Sequence, residues 1–174
     1  MCDDNLIGLA DVDPEYAFHV ELHERLERID KWDRFYLGLA EYIATASKDP
    51  STKVGAVLVR PNNTIASVGY NGFPRGMSDD PDLYADRPTK YSRIVHAEMN
   101  AILNAQGPVE GCTLYCTFLP CDRCAVFVVQ AGITRVVAPA PTPDQIERWG
   151  TSLDNTRAIF LEAGIALTEP KASE

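Results

Sequence analysis

Two short motifs in this chain combine metal-binding side chains with a carboxylate. The first places Glu98 two residues after His96, and the second is Pro120-Cys121-Asp122-Arg123-Cys124. An imidazole and two thiolates form a three-ligand set for zinc, which keeps a fourth position open for water and lowers the pKa of that water to roughly 7. A carboxylate beside the water can carry protons to and from a substrate. These residue types therefore predict metal-assisted hydrolysis.

The spacing of both motifs indicates where they lie. A Cys-x-x-Cys pair at the start of a helix directs both sulfurs to one point, and the free N–H groups there stabilise thiolates. His96 and Glu98 would diverge by about 200° on a regular helix, so we expect them at a helix start as well. We predict that His96, Cys121 and Cys124 bind one zinc ion per chain. Glu98 is the predicted proton shuttle, with a pKa raised by a dry pocket.

Taken alone, a Cys-x-x-Cys motif is often a structural zinc half-site or a redox pair. A single His before an apolar helix is usually a cap or a core residue. A closed structural site needs a fourth ligand, which Cys112 or Cys116 could supply. The segment Thr113–Thr117, however, is typical of a buried strand, where cysteine is an ordinary core residue. Together, H-x-E and P-C-x-x-C form the signature of zinc-dependent nucleobase deaminases. The predicted reaction is hydrolytic removal of an amino group from a cytosine-like ring.

The composition narrows the class of protein. The chain has 174 residues, of which 45% are hydrophobic, and this predicts one compact domain with an appendage. No apolar run approaches the roughly 20 residues that span a bilayer, and no signal peptide is visible. Five cysteines do not resemble a disulfide framework, so we expect a cytoplasmic enzyme without a membrane partner. A net charge of −9 without a basic stripe favours a small substrate over a polynucleotide.

The apolar periodicity predicts an α/β fold. A helix over Glu15–Ile29 and a second over Trp32–Ala46 precede a hairpin formed by Val54–Val59 and Thr64–Gly69. The second helix is expected to bury Trp32, Phe35, Leu39 and Ile43. Helices and strands then alternate: His96–Ala105, Thr113–Thr117, Cys121–Ala131, Thr134–Ala138, Asp144–Ala163 and Ile165–Thr168. This order predicts a mixed sheet between helical layers. We divide the chain into an acidic extension (1–30), a deaminase domain (31–169) and a tail (170–174).

A longer series of motifs between about Trp32 and Val137 resembles the deoxycytidylate (dCMP) deaminases. It comprises Ser47-Lys48-Asp49-Pro50, Val54-Gly55-Ala56, Gly69-Tyr70-Asn71-Gly72 with Pro74 and Gly76, Ser78-Asp79-Asp80, His96-Ala97-Glu98 with Asn100-Ala101-Ile102, Pro120-Cys121 with Cys124, and Gln130-Ala131-Gly132-Ile133. The resemblance implies a cytidine deaminase-like fold, a three-layer α-β-α sandwich around a five-stranded mixed sheet. It also implies conversion of dCMP to dUMP for thymidylate synthesis, a homo-oligomer (a hexamer), and the effectors dCTP and dTTP.

The resemblance assigns further roles. It implies that Asn71 contacts the sugar, that the backbone N–H of Ala97 binds the pyrimidine O2, and that the carbonyl of Pro120 or its neighbour accepts from the amino group. Asn71 could instead be a turn residue before Gly72. Residues 77–92 hold no Cys or His, so the additional zinc of some relatives is not expected.

The phosphate contact has no matching motif after the fourth strand. Four cations are candidates: Lys48, Lys53, Arg75 and Arg148. Trp149 could stack on the ring or simply pack the last helix. The alternatives that stay open are the same chemistry on another pyrimidine nucleoside, modified nucleotide or aminated base, and, from another class, a catalytically silent zinc protein that senses nucleotides. Glu98 argues against the latter, because a binding module needs no proton shuttle.

Overall fold

A computed structural model describes residues 31–170. The chain divides into two compact units, Met1–Arg34 and Phe35–Glu174. Residues 31–34 of the first unit are helical. The predicted helix over residues 15–29 lies outside the described residues, as do residues 171–174 of the tail. The predicted domain limits at 30/31 and 169/170 stay predictions.

A five-stranded mixed sheet forms the centre of the second unit and confirms the predicted fold class. The strands follow in the order β2-β1-β3-β4-β5. β1 is antiparallel to β2 and β3, whereas β3, β4 and β5 are parallel to one another. The strands are β1 (Gly55–Val59), β2 (Ile65–Tyr70), β3 (Thr113–Cys116), β4 (Arg135–Val137) and β5 (Ala166–Thr168).

The helices of this unit are α1 (35–44), α2 (Pro81–Ala85), α3 (Arg87–Arg93), α4 (Ala97–Asn104), α5 (Asp122–Gln130) and α6 (Pro143–Ala163). The sequence pattern did not predict α2 and α3, which occupy the polar segment before His96. α6 begins with a capping box between Thr142 and Gln145 and ends at Gly164, whose φ is 71°. Within residues 31–170, no helix is both long and apolar enough to cross a membrane.

Helices cover both faces of the sheet. Side chains alternate between the two faces along a strand. On the face of Gly55, a Cβ atom would lie 2.0 Å from the carbonyl oxygen of Ala40, so the backbone of α1 contacts β1 directly. On the opposite face, a Cβ atom on Gly69 would lie 2.3 Å from the backbone of Ala97 in α4. Helices α5 and α6 join α4 in one buried apolar cluster on that face, and this completes the three layers.

The predicted buried stripe of α1 is wrong. Phe35 is 56% exposed, and Leu39 and Ile43 are half-buried. The side chains buried on this helix belong to Tyr36, Ala40 and Ala44. Because α1 lies so close to Gly55, only small side chains fit at the centre of the contact. The spacing of large apolar residues therefore pointed to the wrong face.

Candidate active site

The metal-binding side chains extend from the starts of two neighbouring helices. His96 is the N-cap of α4 and Cys121 is the N-cap of α5, both with extended backbone, and Cys124 follows in the first turn of α5. The Nδ1 atom of His96 lies 3.5 Å from Sγ of Cys121 and 3.4 Å from Sγ of Cys124. Both cysteines are free thiols. The structure thus confirms the expected placement of both motifs at helix starts.

These three donor atoms fit a zinc ion. They all lie within 4.8 Å of one another, and among residues 31–170 they are the one group of three His, Cys, Asp or Glu side chains close enough to share a metal. Tetrahedral zinc with Zn–S of about 2.3 Å and Zn–N of about 2.0 Å places a nitrogen and a sulfur ligand about 3.5 Å apart. The observed N···S distances match that separation, so little rearrangement is needed for binding.

Hydrogen bonds at the metal-binding residues shift the pKa values of the two thiols in opposite directions. A hydrogen bond from Cys124, together with one from the ring of His96, lowers the pKa of Cys121 to about 4. The same hydrogen bond raises the pKa of Cys124. Thiolates are the metal-binding form of cysteine, so metal binding releases the thiol proton that remains on the pair. Burial also raises the pKa of Cys116 well above its ordinary value, consistent with a neutral core thiol.

Glu98 lies in the first turn of α4, beside the metal ligands. Its side chain is buried, with 4% exposure, and forms a hydrogen bond with Cys124. Burial raises the pKa of this carboxyl group, as the sequence predicted. A carboxyl group with a raised pKa is suited both to accept and to return a proton.

Helix α6 fixes the start of α5. The hydroxyl of Thr156 donates to the carbonyl oxygen of Pro120 over 2.9 Å, and the oxygen of Ser152 accepts from the backbone N–H of Asp122 over 3.1 Å. Ser152 also donates to the carboxylate of Asp122. Sequence reasoning did not identify Ser152 and Thr156 as site residues. Their spacing of four residues, which puts both on one helix face, was the available signal.

Asn71 directly follows β2, and most of the hydrogen-bonding groups of its side-chain amide already have partners within the protein. Its Oδ1 accepts from the backbone N–H of Val54 (2.8 Å), while Nδ2 donates to the carbonyl of Thr52 (2.9 Å) and to Asp49 (3.3 Å). These contacts fix the orientation of the amide. One lone pair of Oδ1 is left for a further donor. The predicted sugar contact thus remains a proposal, with Asn71 as the acceptor.

A buried ion pair supports Asn71. The ammonium group of Lys90 lies 2.7 Å from one carboxylate oxygen of Asp49 and donates to Ser51 over 2.6 Å. The side chains of Lys90 and Asp49 are 10% and 1% exposed. Burial favours the neutral carboxyl, but hydrogen bonds from Lys90, Ser51 and Thr52 outweigh it, so the pKa of Asp49 lies below its ordinary value. The sequence analysis did not identify this pair.

A cleft of about 840 Å³ connects these groups, a size typical of small-molecule sites. His96, Ala97, Glu98 and Cys121 line it together with Asn71. The backbone N–H of Ala97 is in the first turn of α4, where helix N–H groups have no partner within the helix. The structure thus brings Asn71, Ala97, Glu98 and two of the three metal ligands to one cavity, whereas Pro120 and Cys124 are not among its lining residues.

Of the predicted phosphate ligands, Arg148 lines the cleft. Lys48 pairs with Asp79 over 2.6 Å, and Arg75 donates to Asn104. Lys53 is not among the lining residues, whereas Arg87, which the sequence analysis did not single out, is one of them.

Trp149 both lines the cleft and packs the last helix. Its ring meets that of Phe118 edge to face, with centroids 5.4 Å apart.

Comparison with known proteins agrees with this site. The family model of the cytidine and deoxycytidylate deaminase zinc-binding region matches residues 30–140. An uncharacterized deaminase in the luxG 3′ region of Aliivibrio fischeri is 43% identical over 140 residues, which cover 80% of this chain and 94% of that protein. The deoxycytidylate deaminase of Mus musculus is 41% identical over 154 residues, 83% of each chain.

A solved structure with the same fold is that of the dCMP deaminase from the cyanophage S-TIM5 in apo form. It superposes with a TM-score of 0.61 at 24% identity, over 80% of this chain and 98% of that chain. The family match covers the metal-binding residues, the carboxylate beside them and the two helix starts that carry them. The chain therefore belongs to the zinc-binding cytidine and deoxycytidylate deaminase family.

Proposed function

We propose that this protein hydrolyses dCMP to dUMP and ammonia and so feeds thymidylate synthesis. The observation that carries the proposal is a buried carboxyl group, Glu98, which lines a cleft of about 840 Å³ beside the metal-binding group His96, Cys121 and Cys124. The identity of 41% with a deoxycytidylate deaminase supports this substrate.

In this reaction, some groups of the cleft position the substrate and Glu98 transfers protons. Zinc, when bound by His96, Cys121 and Cys124, supplies an acidified water molecule. Glu98 takes a proton from water, delivers it to the ring nitrogen N3, and later protonates the departing amine. One water is consumed and one ammonia is released for each dCMP. The raised pKa of Glu98 suits both directions of transfer.

The backbone and amide groups of the cleft orient the substrate in this proposal. The N–H of Ala97 binds the pyrimidine O2, and the carbonyl of Pro120 or its neighbour accepts from the amino group. The carbonyl of Pro120 already accepts from Thr156, so it has one lone pair left for the substrate. Asn71 accepts a hydrogen bond from the sugar hydroxyl through its remaining lone pair. Each contact uses a donor or acceptor that the fold leaves available.

The resemblance of the sequence motifs to those of the deoxycytidylate deaminases supports a cytoplasmic homo-oligomer, a hexamer, with dCTP and dTTP as effectors. Several large apolar side chains lie exposed on helices of the described part of the chain, and a neighbouring copy would cover them. They are Phe35, Tyr42, Leu103, Phe127 and Leu161. Light scattering with and without dCTP measures the assembly, and a monomer under both conditions would remove this part of the proposal.

The test is ammonia release by the zinc-loaded protein with dCMP, deoxycytidine and cytosine in turn. We expect dCMP to be the preferred substrate. Equal rates with and without the 5′-phosphate would remove the nucleotide assignment. Zinc binding without turnover of any of the three would favour the nucleotide-sensing alternative.

A further inference from the structure

The N-cap position of α5 is occupied by a metal ligand. The first four N–H groups of a helix have no partner within the helix, and an oxygen of the N-cap side chain normally accepts from one of them. In α5 the N-cap residue is Cys121, and its sulfur is one of the three metal-binding atoms. The first turn of α5 therefore needs oxygen acceptors from other side chains.

Ser152 of α6 supplies one of these acceptors. Its Oγ accepts from the N–H of Asp122, the first residue of α5, over 3.1 Å. The same hydroxyl donates to Oδ1 of Asp122 over 2.9 Å, and this oxygen also accepts from the N–H of Arg123 over 2.9 Å. Ser152 thus caps the first N–H group of α5 directly and orients the carboxylate that caps the second.

Thr156 holds the residue on the other side of Cys121. Its hydroxyl donates to the carbonyl oxygen of Pro120 over 2.9 Å, and Thr156 is 0% exposed. Ser152 and Thr156 are four residues apart on α6, so they lie on one face of that helix. The backbone before and after Cys121 is therefore bonded to the same face of one helix.

This face of α6 is anchored in the core. Leu153 and Phe160 are each 1% exposed and belong to the buried apolar cluster, together with Ala125 and Val128 of α5. Close packing of such side chains limits the movement of one helix against the other. The two hydroxyl groups of α6 are therefore fixed in position relative to the start of α5.

The positions of both sulfurs depend on the backbone that these hydroxyl groups hold. The carbonyl of Cys121 accepts from the N–H of Ala125 over 2.8 Å, which closes the first turn of α5. Cys124 lies within that turn, so a shift of α5 moves both sulfurs together. His96 instead begins α4. Such a shift would change the N···S distances of 3.5 and 3.4 Å, which match those of zinc ligands.

We infer that Ser152 and Thr156 are positioning residues of the metal centre, which hold the two thiol groups at the separation that zinc requires and so raise the affinity for zinc. The inference goes beyond the proposed function, because it needs the metal-binding residues but does not depend on which ring is deaminated. Groups that orient metal ligands typically contribute roughly 10–100-fold to metal affinity or activity, so we expect about tenfold from each hydroxyl.

The experiment measures the zinc dissociation constant of full-length variants by competition with a chelator of known affinity. Ser152→Ala removes one hydroxyl, and Thr156→Val replaces the other with a methyl group. We expect the dissociation constant to rise about tenfold in each variant and about 100-fold in the double variant. Thr151→Val, the same substitution at an exposed position of α6, is the matched control and should equal the wild type. An unchanged dissociation constant in the double variant would overturn the inference.

A conservative variant separates positioning from packing. Thr156→Ser keeps the hydroxyl and loses a methyl group, so its zinc affinity should stay close to the wild-type value. Equal losses in Thr156→Ser and Thr156→Val would assign the effect to the methyl group and contradict the inference. Ser152 is only half-buried, so Ser152→Ala decides the question if Thr156→Val does not fold.

Ammonia release, measured separately, distinguishes this inference from the proposed function. Weaker zinc binding in the double variant, with no ammonia released from dCMP by the zinc-loaded wild type, would support the inference and contradict the proposed reaction. Deamination of dCMP, with equal zinc affinity in the wild type and the double variant, would do the reverse.

Discussion

Three cations line one cleft, and their surroundings give them different roles. Lys90 is buried and contacts Asp49 and Ser51, so its charge is part of the wall. Arg87 and Arg148 are exposed and rest on aromatic rings. The cation of the inner part of the cleft, the part that also holds Glu98, is thus paired within the protein. The two exposed arginines, which we call the rim, form no ion pair within residues 31–170. The inner part should determine whether the reaction proceeds at all, and the rim which substrate is preferred.

Removing a metal ligand should have the largest effect on the inner part. Cys121→Ala leaves one thiol and one imidazole, too few to hold zinc in the way the site requires. We expect zinc content near zero by elemental analysis and no measurable ammonia release with either dCMP or deoxycytidine. A chelator should do the same to the wild type, and added Zn²⁺ should restore activity to the wild type alone. Full activity in zinc-free protein would contradict the assignment.

The substitution Glu98→Gln keeps the shape of the side chain and removes its proton-transfer function. We expect kcat to fall by about 10²–10⁴-fold for both substrates, with zinc content unchanged. Glu162→Gln, an exposed site on α6, is the control and should retain wild-type kinetics. Normal turnover in Glu98→Gln would show that another group moves the proton.

Breaking the buried ion pair between Lys90 and Asp49 should lower the free energy of unfolding more than it lowers the catalytic rate. Lys90→Met leaves the carboxylate of Asp49 buried and unpaired, which costs about 3–5 kcal/mol. The double variant Asp49→Asn/Lys90→Met removes both charges and should recover more than half of that loss in chemical denaturation. If the double variant were as unstable as Lys90→Met, the pair would not be coupled.

The same pair predicts a pH dependence. Because the folded-state pKa of Asp49 is lowered, its contribution to stability is present above its unfolded value of 3.8 and is lost as the pH falls through the folded value. We expect the stability advantage of the wild type over the double variant to shrink below about pH 4. Melting temperatures measured from pH 7 to pH 3 test this, and a constant difference would contradict it.

The smallest effect is expected at the rim. Arg148, a predicted phosphate ligand, lines the cleft. Arg148→Lys keeps the charge but removes the guanidinium's paired N–H donors, so within the proposed reaction kcat/KM for dCMP should fall only about three- to tenfold. Added salt should narrow the gap between dCMP and deoxycytidine, since exposed charges are screened. A loss as large as that of Glu98→Gln would place Arg148 in the chemistry and erase the distinction between rim and interior.

The metal centre could be predicted because ligand chemistry constrains residue type and spacing at once. Cys121 and Cys124 are one turn apart, and His96 with Glu98 requires a helix start, so local sequence sufficed. The alternation of helices and strands likewise predicted the sheet. These features depend on neighbours in the chain.

Other features depend on distant parts of the chain and left no local signal. Asp49 and Lys90 are separated by 41 residues, and nothing in either segment indicates the other. The buried face of α1 was mispredicted because the deciding residue, Gly55, lies on a strand. Helix α2 had a local signal, an Asp80 cap followed by Pro81, but its polar composition concealed it.

The locked amide of Asn71 has a consequence for nucleotide analogues. Both N–H groups of Asn71 already donate, one to Thr52 and one to Asp49. The side chain can therefore accept a further hydrogen bond through the remaining lone pair of Oδ1, but it has no free N–H group for an ether oxygen. Within the proposed reaction, a chain-terminating deoxycytidylate without a 3′-hydroxyl leaves that lone pair unsatisfied. Such analogues should therefore be deaminated less efficiently than dCMP, because they lack the hydroxyl that donates to Asn71.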